Sequence, residues 1–139
     1  DTHNLYLEVA TNLGIQGLVV FLTMVGALML VLHRAARDFE SQRRKLVLLA
    51  RHGVPPSLRR LLSRQDRDLQ FLVAVAHATG AFIFARLILG LFGMDLYEIY
   101  WWFGSGIALC LSGLVVTSRR RLAVLVEAAA RSGPEAAHG

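Results

Sequence analysis

One cysteine, and almost no charge over three long stretches, set the first limits on this sequence. Cys110 has no second cysteine in the chain to bond with, so no disulfide forms within it, and it reads as a small residue facing lipid or a neighbouring helix. Leu13 to Leu32 gives twenty residues without a charge, and Ile99 to Val116 gives eighteen. Phe71 to Gly93 gives twenty-three, broken by Arg86 alone. A helix crosses a hydrocarbon core of about 30 Å with about 20 apolar residues. With 55% hydrophobic residues and a mean hydropathy of +0.48, the reading is an all-α integral membrane chain with three spanning helices.

The first run is no secretory signal. A signal places basic residues ahead of a short apolar core and a small-residue cleavage site. Here Asp1, His3 and Glu8 precede the run and the basic residues follow it. The chain also opens on Asp, and it reads as the C-terminal portion of a longer polytopic protein. It divides into an outer-edge motif segment at 1–12, spans at 13–33, 70–93 and 99–118, a basic loop at 34–69, a short link at 94–98 and a tail at 119–139.

Lys and Arg are lacking at one end. Residues 1–12 and 94–98 hold none, only Asp1, Glu8, Asp95 and Glu98. The 34–69 loop carries ten, from Arg34 to Arg67, and the tail adds Arg119, Arg120, Arg121 and Arg131. Basic loops stay in the cytoplasm. The expectation is a bacterial inner-membrane protein with its N-terminal edge and 94–98 link periplasmic, and its basic loop and C-terminus cytoplasmic.

Pro55-Pro56 interrupts the helical pattern of that loop, since proline removes a donor and clashes with the preceding turn. Leu46, Leu49, Leu58, Leu61 and Leu62 among arginines predict two short amphipathic helices lying on the membrane face, drawn to anionic headgroups. Phe39 is the loop's one aromatic. Single-strand binders interleave stacking aromatics with their positive charge, so nucleic acid is not expected as a partner. Tyr97, Tyr100, Trp101 and Trp102 at the start of the third span read as an interfacial aromatic belt. Leu122 to Arg131 continues as helix until Gly133-Pro134.

The most informative text is the opening, Asp-Thr-His-Asn-Leu-Tyr-Leu-Glu-Val-Ala-Thr-Asn-Leu-Gly-Ile-Gln-Gly-Leu. His3-Asn4 is followed by nine residues, Gly14, two residues, Gly17 and a span. This pattern resembles the signature of the O-antigen ligase family, which includes polysaccharide polymerases and protein O-oligosaccharyltransferases. Gly90-Leu91-Phe92, Tyr100-Trp101-Trp102 and Gly104-x-Gly106 are compatible with that family's closing spans, while residues 3–21 carry the discrimination.

The resemblance implies a metal-independent glycosyltransferase moving a glycan from undecaprenyl diphosphate to an acceptor, a lipid A–core sugar or another glycan, at the periplasmic face. It also implies that His3 takes the proton of the acceptor hydroxyl. A neutral imidazole with a pKa of about 6.5 suits that role. Asn4 would orient the imidazole or the hydroxyl, because an amide offers donor and acceptor. Tyr6 and Glu8 are candidates to line the acceptor site, Glu8 equally a solvated residue at headgroup level. No carboxylates cluster with His at metal-ligand spacing, and no cofactor is implied. Gly14 and Gly17 either share a face that admits a neighbouring backbone or let the chain bend into the span.

Arg86 would lie about 10 Å inside the second span, where a charge is costly and a functional candidate by default. It could bind the lipid diphosphate, pair with an acid, or snorkel. His77, nine residues earlier, faces the opposite side at 100° per residue and suits an interhelical hydrogen bond. Two function classes remain open at this point: this transferase, as ligase or repeat-unit polymerase, and a non-enzymatic transporter or assembly subunit.

Overall fold

The computed structural model describes residues 4–90 and 99–133, with backbone alone at Leu5, Glu8 and Ile99. Three helices follow one another up, down and up: α1 (Leu5–Ala50), α2 (Pro56–Leu89) and α3 (Ile99–Ser132). No strand occurs among the described residues. Each helix touches the other two.

All three are long and apolar enough to cross a membrane, their most apolar stretches having mean hydropathies of 2.4, 1.9 and 1.4. Only 17%, 22% and 33% of the residues in those stretches are buried against the other helices. Side chains such as Val20, Phe84 and Leu109 therefore stand outward. An apolar surface of that extent is stable in lipid and not in water, which makes this a membrane protein.

The core follows a spacing that alternates three and four residues. On α1 it runs Phe21, Val25, Leu28, Leu32, Ala35, Phe39, Gln42, Leu46; on α3 Trp101, Gly104, Ala108, Leu111, Val115, Ser118, Leu122. On α2 the buried set Leu58, Leu62, Gln65, Leu69, Ala76, Thr79 and Ile83 keeps the same period. A 3.5-residue repeat keeps one narrow stripe facing its partners over many turns, so one seam runs from the apolar to the basic part of every helix.

That seam corrects the expected loop. Residues 34–69 are helical on both sides of a break, but as continuations of α1 and α2 rather than as separate short helices on the membrane face. Beyond Leu32, α1 runs on for about 27 Å at 1.5 Å per residue, and α2 and α3 extend similarly. Phe39, Leu46, Leu62 and Leu69 bury the basic part against itself. Arg43 Nε pairs with Asp66 at 2.9 Å between α1 and α2, and Arg119 pairs with Asp38 between α3 and α1. Gly53 (φ 71) turns the chain at the tip, and Pro56 starts α2 where its missing N–H costs no helical bond.

Candidate functional site at the non-basic end

Asn4 caps α1: its Oδ1 accepts from the amides of Tyr6 at 3.0 Å and Leu7 at 3.4 Å. Such a cap satisfies two of the donors that a helix start leaves over. With Oδ1 occupied, the side-chain NH2 is the part of Asn4 that can meet a ligand. One turn of helix later the segment is fastened to α2. The Tyr6 hydroxyl donates to the Leu87 carbonyl at 2.8 Å, and Val9 is fully buried.

The helix then bends. Gly14 has φ 71 and ψ 178 inside α1, a conformation essentially confined to glycine. The bend moves Leu13 across the face of Gly17, where an added Cβ would overlap the Leu13 Cβ. In an unbroken helix Cβ atoms four apart stand about 5–6 Å away from each other. Gly14 makes the turn and Gly17 makes room for it. Among the described residues nothing lies within 4 Å of a Gly14 Cβ, and the pair serves the bend.

Arg86 sits in the last turn of α2, which ends at Leu89 with Gly90 as its cap. It is therefore three residues, about 4.5 Å, from the last residue of α2. The apolar run continues to Gly93, but residues 91–93 lie outside the described ones. A cation is favoured at a helix C-terminus by the dipole. The Arg86 guanidinium lies over the Tyr100 ring, 4.5 Å from its centroid, and Tyr100 meets Phe82 edge-on at 6.1 Å. Arg86 keeps the α2 seam period after Ile83, on the stripe that faces the other helices.

Tyr6 and Arg86 are thus brought to one end of the bundle, since the acceptor of the Tyr6 bond is the residue after Arg86. Asn4 is one short turn away along α1. His3 precedes Asn4 in the chain and lies outside the described residues, as do Asp95 and Glu98; the Glu8 side chain is likewise not described. His77 is exposed and makes no hydrogen bond among the described residues, so the expected interhelical bond is not formed within this trio.

Trp101 does not belong to the aromatic belt. It is 8% exposed on the α3 seam and meets Phe21 edge-on, ring centroids 5.3 Å apart. Trp102, 75% exposed, fits the belt reading. Between α1 and α3, Leu13, Val20, Met24 and Trp102 line an apolar groove of about 560 Å³ with Gln16 at its side. Sequence reading missed both this groove and the Tyr100 platform; the seam period running through Trp101 and not Trp102 was the available signal.

The described residues define a membrane protein of the all-helical class, with three helices long and apolar enough to span and a bent N-terminal segment fastened to one helix end. No family model, curated protein or solved structure matches the chain.

Proposed function

We propose that these helices are the closing part of an O-antigen ligase-like glycosyltransferase, with the non-basic end in the periplasm and the basic end in the cytoplasm. The observation that carries the reading is the use made of the motif. The two glycines of His3-Asn4…Gly14-x-x-Gly17 are both needed for one bend, and after the bend Tyr6, two residues past Asn4, reaches the helix end that bears Arg86. The spacing thus has a structural reason to exist, and Asn4, Tyr6 and Arg86, which it brings to one end, are of types the reaction needs.

In this reading the acceptor hydroxyl attacks the anomeric carbon of the carrier-linked glycan. The bond to the diphosphate oxygen breaks, and undecaprenyl diphosphate leaves with the bonding electron pair. His3 takes the hydroxyl proton. Arg86, held flat by Tyr100 at the helix end, faces the developing negative charge on the diphosphate. The apolar groove beside Trp102 takes part of the isoprenoid chain. Orientation follows from the basic end, since Lys- and Arg-rich segments stay on the cytoplasmic side.

The test is complementation in a bacterium lacking its own O-antigen ligase, with the full-length protein and its His3→Ala variant at matched membrane levels. Polymer on lipid A–core and polymer left on the lipid carrier are read separately. Transfer by the wild type, lost in His3→Ala with carrier-linked polymer accumulating, supports the ligase. Lengthening of the carrier-linked chain without transfer identifies a repeat-unit polymerase. An active protein indifferent to His3→Ala removes the assignment.

A further inference from the structure

The basic end holds a second feature, independent of the proposed reaction. α3 carries Arg119, Arg120 and Arg121 directly after its charge-free run. Arg119 turns to α1 and pairs with Asp38. Arg120 and Arg121, in contrast, make no ion pair among the described residues and line a cleft between α3 and α2. Across the cleft stand Arg64 and Asp68, with Thr117 at its membrane side.

The level of this cleft in the membrane follows from the same residues. Thr117 and Ser118 end the uncharged stretch of α3, and Asp68 lies three residues before Phe71, where that of α2 begins. From Thr117 to Arg121 the helix rises about 6 Å. That matches the depth of one headgroup layer, which is about 5–8 Å on each side of the hydrocarbon. Toward the bilayer centre, one turn on, Leu114 and Phe71 are exposed, at 41% and 68%, and offer apolar surface to acyl chains. Away from the bilayer, Leu61, Val124 and Leu125 line the cleft.

The geometry points to a binding site for an anionic phospholipid headgroup in this cleft, with a diphosphatidyl lipid as its best-fitting occupant. Three guanidinium groups against one carboxylate leave two positive charges, the match for two phosphates. The cleft, about 530 Å³, exceeds what a single phosphate fills. Arginine forks bind phosphate oxygens in pairs, and basic pockets between spanning helices are the usual place for such headgroups. The arginines at the tip of the hairpin, Arg51, Arg59 and Arg60, stand about 16–28 Å beyond the uncharged runs. That is further than the headgroup layer and a Debye length of about 8 Å, so they do not contribute.

The purified protein in mild detergent is mixed with cardiolipin, phosphatidylglycerol or phosphatidylcholine, and retained lipid is counted by native mass spectrometry. Cardiolipin is expected to be held about tenfold more tightly than phosphatidylcholine. Arg120→Gln/Arg121→Gln loses that preference, whereas Arg59→Gln/Arg60→Gln, which removes equal charge at the hairpin tip, keeps it. Arg120→Lys/Arg121→Lys keeps part of it, which separates loss of charge from loss of fold; a Lys pair as deficient as the Gln pair overturns the site. Equal losses in the two Gln variants, or equal retention of the zwitterionic lipid, also overturn it. Excess sodium pyrophosphate leaves the lipid in place, and displacement by it would mean that the cleft takes a soluble diphosphate instead.

Discussion

The Tyr6 hydroxyl donates a 2.8 Å hydrogen bond to the carbonyl of Leu87, eighty-one residues along the chain. Leu87 lies in the last turn of α2, where helix carbonyls run short of intrahelical donors. One side chain of the motif segment therefore completes the end of another helix, and this contact fastens the bent start of α1. Tyr6→Phe keeps the ring and removes the bond. The expected cost is about 1 kcal/mol, read as a fall of a few degrees in the thermal unfolding midpoint in detergent. If the proposed transferase reading holds, activity falls further than stability, because the segment that carries His3 loses its anchor.

The bend makes a sharper prediction about glycine. Gly14→Ala places a Cβ on a backbone at φ 71, at a cost of roughly 1–3 kcal/mol. Gly17→Ala collides with the Leu13 Cβ, an atom that no rotamer change can move, at a similar cost. Gly26→Ala, with nothing within 4 Å and helical backbone, gains roughly 0.5–1 kcal/mol. Unfolding midpoints of the three variants, measured together, should fall, fall and rise. A neutral Gly14→Ala would mean that α1 runs straight.

The spans were legible in the sequence because charge is absent from them, and the bend was one of two readings of the glycine pair. The helical extension was not. Arginines beside Pro55-Pro56 look like surface helices, yet the Phe39, Gln42, Leu46 spacing continues the Phe21, Val25, Leu32 seam without a break. Hydropathy measures how apolar a stretch is, whereas the seam records which way it faces. The same distinction separates Trp101 from Trp102, adjacent in sequence and opposite in burial.

Gln42 sits on that seam, 3% exposed, and neither its side-chain nitrogen nor its oxygen has a hydrogen-bond partner among the described residues. A buried amide without a partner costs about 1–3 kcal/mol. Gln42→Leu fills the same stripe with apolar surface and should stabilise the basic extension by an amount in that range, seen as a raised unfolding midpoint. Polar seam residues can also fix the register of packed helices. Cysteine cross-linking between α1 and α2 in the extension checks this: Gln42→Leu with an unchanged cross-linking pattern assigns the residue no register role.

Arg86 and Tyr100 form a pair at the non-basic end, and two substitutions separate the ring from the hydroxyl. The guanidinium rests on the ring face, 4.5 Å from its centroid, so the π-system is the contact and the phenol oxygen is not. Tyr100→Phe should leave the placement of Arg86 intact, and with it the transfer activity proposed above. Tyr100→Leu removes a cation–π contact of roughly 0.5–2 kcal/mol and should lower transfer in part. Arg86→Lys keeps the charge but loses the planar fork that binds a diphosphate at two oxygens, so its activity should fall below that of Tyr100→Leu. Transfer rates for the three variants at matched membrane levels decide the matter. Equal activity of Arg86→Lys and wild type would assign Arg86 a purely electrostatic role at the helix end, where any cation serves.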